Sequence, residues 1–224
     1  MNSESRLVVV APHPDDEVLG VGGTLLRRKA EGAKVAWLIV TSISVDNGWS
    51  QERVDKRSDE IKKISALFDF DQVYNLDFPT TQLDRIPMRD LIAGISNAFN
   101  SFMPTEVFLP HPSDAHSDHR IVFDAATTCT KWFRYPSIKR VLAYETLSET
   151  DFSLGAHKSF RPNVFEDIEL FLDEKLRAMD IYASELGVSP FPRSHEVIRA
   201  LATVRGAASG YIAAEAFQLL KERS

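Results

Sequence analysis

Two short stretches hold most of the residues that could do chemistry. His13-Pro14-Asp15-Asp16-Glu17 follows directly on the apolar run Leu7-Val8-Val9-Val10-Ala11. His111-Pro112-Ser113-Asp114-Ala115-His116-Ser117-Asp118-His119 follows Val107-Phe108-Leu109. Three adjacent carboxylates repel one another unless a positive charge sits among them. A dication would supply it. Catalytic zinc takes three nitrogen or oxygen ligands and keeps one position open, and two histidines with one aspartate make such a set. His116 and His119 are three apart, so at the opening of a helix they share one face. One carboxylate can then ligate the metal while a neighbour acts as base on its water. Another divalent metal would fit the same donors.

Each stretch alone also reads as a turn leading into an acidic first helical turn, where carboxylates favour the dipole. Two such clusters, each just after a strand, favour a site. A dinucleotide site does not fit. Gly20-Val21-Gly22-Gly23 would need a further glycine where Leu25 stands, and the preceding acids would repel a pyrophosphate at that helix start. The glycines instead let the first helix lie close on the sheet.

To bring the two stretches together the chain needs a parallel sheet. Strand patterns run over residues 7–11, 35–41, 72–75, 106–109 and 140–144, with helices over 17–31, 51–67, 88–102 and 119–131 between them. Val54, Ile61, Ile64 and Leu67 form an apolar helical stripe. The alternation predicts an α/β fold: a Rossmann-like, mostly parallel sheet flanked by helices. Ligands of such sheets bind beyond the carboxyl ends of the strands, where both clusters fall. Residues 151–162 read as loop. Helices over 166–184, 194–204 and 212–221 then predict an α-rich C-terminal extension of a single domain spanning 1–224.

The bulk properties narrow the function. The chain has 224 residues, 44% hydrophobic and 26% charged, as ordinary globular proteins do. A net charge of −6 argues against nucleic acid as a partner. The single cysteine, Cys129, excludes an internal disulfide framework and a cysteine-rich zinc site. The start MNSESRLVVV has no signal-peptide pattern, and no apolar run reaches the roughly 20 residues of a membrane span. The expectation is a cytoplasmic protein; homo-oligomer formation is left open.

The two clusters resemble the signature of the PIG-L/LmbE-like family of zinc-dependent N-deacetylases: an HPDDE segment after the first strand and a distal HPxDxHxDH segment. Weaker similarity lies in Tyr211-Ile212-Ala213-Ala214-Glu215-Ala216-Phe217, in residues 160–168 and in Arg193-Ser194. The resemblance implies that His13, Asp16 and His119 bind Zn2+ and that Asp15 is the general base. It implies that His116 polarises the acyl oxygen or acts as general acid and that Asp118 orients a histidine. Arg57 falls where members often contact the sugar. Asp114 stands where some members place a catalytic tyrosine, and is taken as substrate-binding.

The loops after the second and third strands, Thr41 to Gly48 and Phe78-Pro79-Thr80-Thr81, depart from the family pattern, which leaves substrate identity open. The implied partner is a small N-acetyl sugar or glycoconjugate. The rivals are an amidohydrolase acting on a non-sugar N-acyl metabolite and a metal-binding protein without turnover. Asp15 argues against the last, because a binding-only site needs no base. Trp49 could stack on a sugar; Trp37 and Trp132 read as packing residues, and Tyr144-Glu145 as strand-end residues near the pocket or in the structure behind it.

Overall fold

The structure is a computed structural model describing residues 5–154 and 159–224. Strand β1 (Arg6–Ala11) is buried at every residue after Arg6, as a strand covered on both faces must be. Side chains alternate across a strand, so Leu7, Val9 and Ala11 enter one core, and Val8 and Val10 the other. The first core is closed by α1 (Asp16–Ala30), α2 (Gln51–Phe68), α5 (Leu172–Ile181) and α6 (His195–Ala207). The second is closed by α3 (Met88–Phe102) and α4 (Ser117–Thr128). Strand β2 (Lys34–Ser42) divides the same way, with Trp37 and Ile39 on one side and Leu38 and Val40 on the other.

The remaining strands are β3 (Gln72–Pro79), β4 (Glu106–Pro110), β5 (Arg140–Tyr144), β6 (Val164–Asp167) and β7 (Ala214–Glu222). The sheet order is β3-β2-β1-β4-β5-β7-β6. Strands β1 to β5 are parallel; β7 runs antiparallel to β5 and to β6. The chain winds outward from β1 through β2 to β3, then returns to lay β4 on β1's other side. This reversal opens a crevice at the carboxyl ends of β1 and β4, the two strands that feed the histidine–aspartate stretches.

The C-terminal third differs from the sequence reading. Residues 212–221 hold helix formers, but 214–222 form β7. A helix preference is worth at most a few tenths of a kcal/mol per residue here. Against it stand two backbone ladders, to β5 and β6, and the burial of Phe217 against Phe108, with ring centroids 5.1 Å apart. Likewise Glu166 and Asp167 belong to β6, and the helix expected from 166 begins at Leu172. The extension is therefore two more strands of the same sheet with two helices. Trp132, expected to pack, is 60% exposed.

Helix α1 is held between sheet and C-terminal segment. A Cβ on Gly20 would come within 2.3 Å of the Tyr144 ring, and one on Gly23 within 2.7 Å of Ile168. Glu215 of β7 accepts the backbone N–H of Gly23 and of Thr24 at 2.8 and 2.7 Å. Lys175 of α5 donates to Glu215 at 2.7 Å and to the Leu19 carbonyl at 2.8 Å. Both side chains are buried, so this ion pair joins three elements behind the crevice. Among the described residues no helix is long and apolar enough to cross a membrane.

Candidate active site

The chain leaves β1 through a tight turn. Asp15 adopts φ 135°, a strained value for a residue with a Cβ. Its N–H is taken up by Glu17 Oε2 at 3.1 Å, and Glu17 is held by the Tyr182 hydroxyl at 2.7 Å. The His13 N–H donates to Asp16 Oδ2 at 2.8 Å. The turn points Asp15 and Asp16 to different partners. Asp16 Oδ2 faces His119 Nε2 at 3.3 Å and His13 Nδ1 at 3.4 Å. Asp15 Oδ2 accepts from Arg193 Nη1 at 2.8 Å.

Helix α4 supplies the second half. Its N-cap is His116, whose Nδ1 accepts the Asp118 N–H at 3.1 Å. That bond leaves the ring proton on Nε2. The His116 backbone N–H donates to Glu149 Oε2 at 3.0 Å. One turn on, His119 presents Nε2 to Asp16 while its Nδ1 meets Asp114 Oδ2 at 2.9 Å. Asp118 Oδ2 lies 3.1 Å from His13 Nε2 and accepts the N–H of Thr81 at 2.7 Å.

One donor atom each from His13, Asp16 and His119 lie within 4.8 Å of one another, close to what bonds of ~2.0–2.2 Å to a single ion require. Both histidines have their second nitrogen on a carboxylate, Asp118 for His13 and Asp114 for His119. That is the usual support of a metal-binding imidazole. A second trio, His13, His116 and Asp118, is equally close, but His116 Nδ1 already caps α4 and Asp118 already holds a backbone amide. The donor set of the first trio therefore suits a divalent cation.

The charges agree with this. Burial opposes a charge on His13, but hydrogen bonds to Asp118 and Asp16 outweigh it and raise its pKa to about 9. Burial is likewise outweighed at His119, which Asp16 and Asp114 hold at about 10. Asp16, though buried, is held far below the usual carboxylate range by His119 and His13. In metal-free protein these imidazoles hold protons where a cation would sit. Asp15 goes the other way: burial and the Asp16 charge raise it to about 7, against the pull of Arg193. Burial and the neighbouring histidines press His116 down to about 4, so it is neutral.

All of this faces a cavity of about 800 Å³ lined by His13, Asp15, Asp16, His116, His119, Glu149 and Arg193, with residues of β2, β3 and α2. Arg57 lines it too, but its guanidinium is already engaged. It donates to the Pro14 carbonyl at 2.7 Å and to Glu185 at 2.6 Å, and pairs with Glu60 at 3.2 Å. Arg57 thus braces the His13–Asp16 turn. Asp114 does not reach the cavity: it is fully buried behind His119 and accepts a second bond from the Thr150 hydroxyl at 2.6 Å. A carboxylate sealed between an imidazole and a hydroxyl cannot meet a ligand. Tyr144 donates to the Val10 carbonyl and Glu145 pairs with Arg205, so neither lines the cavity. Trp49 does.

Arg193, Glu149 and Glu185 also line the cavity, and Glu149 and Glu185 carried no signal in the sequence. Arg193 comes from the segment before α6 and reaches Ser148 Oγ at 2.9 Å and Glu185 at 3.4 Å besides Asp15. Only the weak Arg193-Ser194 similarity pointed there.

A histidine–aspartate cluster thus lies at the strand ends of a mostly parallel α/β sheet, with a buried carboxylate and a neutral histidine beside it on one cavity. Residues 8–130 match the family model described as PIG-L, GlcNAc-PI de-N-acetylase, and the chain belongs to that family. A diacetylchitobiose deacetylase of Thermococcus kodakarensis is 25% identical over 98% of this chain and 84% of its own. Among solved structures, the conserved protein TT1542 of Thermus thermophilus superposes with a TM-score of 0.77 at 29% identity, covering 97% of this chain and 96% of the other. The 4-carboxy-2-hydroxymuconate hydratase GalB of Pseudomonas putida KT2440 superposes at 0.73 and 17% identity, covering 98% of both chains. The last likeness is one of fold.

Proposed function

We propose that this protein is a zinc-dependent hydrolase that removes the N-acetyl group from an N-acetylated sugar or glycoconjugate. The observation that carries the reading is the convergence of His13, Asp16 and His119 beside Asp15 and His116 on one cavity. Family membership and a deacetylase relative support it. Zinc held by His13, Asp16 and His119 would supply Lewis acidity, polarising an acyl oxygen and lowering the pKa of water from ~15.7 to roughly 7.

The protein's own groups do the rest. Asp15 takes a proton from the attacking water. A base must be charged before it acts; Arg193 and a nearby dication favour that form, while burial and Asp16 oppose it. Without a metal Asp15 sits at about 7; a dication beside it would lower this and keep the carboxylate charged, as a base must be. His116, neutral and with its proton on Nε2, donates to the oxygen that becomes negative; one such donor is worth ~3 kcal/mol. Asp15 then returns the proton to the departing amine nitrogen. Asp118 and Asp114 hold the His13 and His119 rings, and Arg57 holds the turn carrying Asp15 through the Pro14 carbonyl.

The test is acetate release from N-acetylhexosamines and their glycosides, with protein as purified, chelated, and chelated then given zinc. The expected result is release that chelation abolishes and zinc restores. No release from any N-acetylated compound by zinc-loaded protein overturns the reading.

A further inference from the structure

The turn that carries Asp15 is held from behind. Asp15 is the N-cap of α1, yet its side chain caps no N–H of that helix; it faces Arg193 and the cavity instead. Glu17, two residues on, reaches back and accepts the Asp15 N–H at 3.1 Å. An acid in the first turn of a helix ordinarily serves the dipole from the surface. Glu17 is 0% exposed, and only hydrogen bonds offset the desolvation of a buried carboxylate. Its other oxygen accepts the Tyr182 hydroxyl at 2.7 Å, from 165 residues along the chain. Tyr182 follows α5 and is buried in the first core. The Arg57 guanidinium lies 5.5 Å from the centre of the Tyr182 ring and donates to the Pro14 carbonyl at 2.7 Å. One peptide group, Pro14–Asp15, is thus held at both its polar atoms: the carbonyl by Arg57 and the N–H by Glu17. Both holders touch Tyr182.

We propose that Glu17 and Tyr182 are positioning residues for Asp15: with Arg57 they fix the plane of the Pro14–Asp15 peptide and so impose the φ of 135° that turns the Asp15 carboxylate into the cavity. A peptide group is planar, so holding its oxygen and its N–H leaves it no freedom to rotate. The φ of Asp15 is the torsion at the next bond, between that N–H and Cα. A φ of 135° lies outside the regions that a residue with a Cβ favours, and such a value persists only where the surroundings over-determine it. Without the Glu17 acceptor the peptide can turn, φ relaxes, and the carboxylate moves with the backbone. A shift of ~1 Å at a working group costs about a hundredfold in rate. Neither Glu17 nor Tyr182 lines the cavity, so both act through Asp15 and touch no ligand. The inference rests on the deacetylase reading for the task of Asp15 as base; the turn geometry does not depend on that reading.

The experiment measures kcat and KM for acetate release by zinc-loaded wild type, Glu17→Gln, Tyr182→Phe and the double variant Glu17→Met/Tyr182→Phe. Zinc content, urea unfolding and crystal structures of the same proteins accompany it. The double variant replaces both partners of a buried hydrogen bond by apolar groups of similar shape, which is nearly neutral for stability, but leaves the Asp15 N–H without its acceptor. It should keep wild-type zinc content, KM and unfolding midpoint while kcat falls about ten- to a hundredfold, and its Asp15 should leave φ 135°. Glu17→Gln keeps an oxygen for that N–H and should retain most of kcat; Tyr182→Phe should show a smaller loss than the double variant. Tyr135→Phe, which removes a buried hydroxyl bonded to Ser96 in the second core, should leave kcat unchanged. Wild-type kcat in the double variant overturns the proposal, as does a kcat loss that appears only together with lost zinc and lost stability. If the double variant does not fold, Tyr182→Phe decides, and wild-type kcat there overturns the proposal. If no protein releases acetate, the deacetylase reading fails and the crystal structures still decide: a relaxed Asp15 in the double variant or in Tyr182→Phe supports the positioning role, and an unchanged φ overturns it.

Discussion

Arg193 Nη1 donates to Asp15 Oδ2 at 2.8 Å across 178 residues of chain. Through this bond the segment before α6 fixes the carboxylate that leaves β1. The same guanidinium reaches Ser148 and Glu185, so its position is set by elements from both halves of the fold. Replacing it by methionine removes the hydrogen bond and the charge. Arg193→Met should lower kcat by about ten- to a hundredfold, the usual cost of losing a partner that orients a working group, with zinc content unchanged. Arg193→Lys should recover part of the loss. Steady-state kinetics with metal analysis checks this; wild-type kcat in Arg193→Met would remove the role.

Asp114 acts behind His119. Asp114→Ala should weaken zinc binding by about ten- to a hundredfold, because the ring loses the acceptor that holds it. Competition against a chromogenic chelator reads the affinity directly. A substrate contact would instead raise KM and leave zinc affinity intact.

The metal-free protein should lose stability as pH rises. His13 and His119 are raised to about 9 and about 10 in the folded chain, from an ordinary value near 6.5. Their contribution is fully present below ~6.5 and is lost as pH climbs through the folded values. Glu17, pushed up to about 8 by burial, works in the same direction. Melting temperatures of chelated protein between pH 6.5 and 10 should therefore fall steadily, and less steeply in His119→Ala. A flat profile would contradict the protonated cluster.

Much of this architecture was legible because burial on both faces leaves continuous apolar runs: residues 7–11 and 35–41 read as central strands and are β1 and β2. The histidine–aspartate cluster was legible because each half is local, three residues from His13 to Asp16 and three from His116 to His119. Strand β7 was not. Its alanines, glutamate, leucines and lysine favour a helix locally, and only the open edge of β5 makes them a strand. Glu149 was hidden for the same reason, and Arg193 was marked only by the weak Arg193-Ser194 similarity: local sequence does not indicate that the fold sets them beside Asp15 and His116. The role of Asp114 was misread because its neighbours in sequence lie in the site, while its own side chain turns back to Thr150 and His119.

Glu215 is where the C-terminal strand meets α1. Glu215→Ala leaves the Lys175 ammonium buried without its carboxylate and frees two buried N–H groups of α1. Breaking such a pair from one side costs about 3–5 kcal/mol. Urea unfolding of the metal-loaded variant should show a loss of that size. Double replacement of Lys175 and Glu215 by methionine should recover part of it. A loss under ~1 kcal/mol would show that the pair is not what joins these elements.

The most direct test is a zinc titration of chelated protein, following acetate release from an N-acetylhexosamine glycoside, in wild type and in Asp15→Asn. The account predicts that wild-type activity rises from baseline and levels at about one equivalent of zinc. It predicts that Asp15→Asn binds the same equivalent yet turns over about 10²- to 10⁴-fold more slowly. Full activity without metal, or wild-type turnover by zinc-loaded Asp15→Asn, would contradict it.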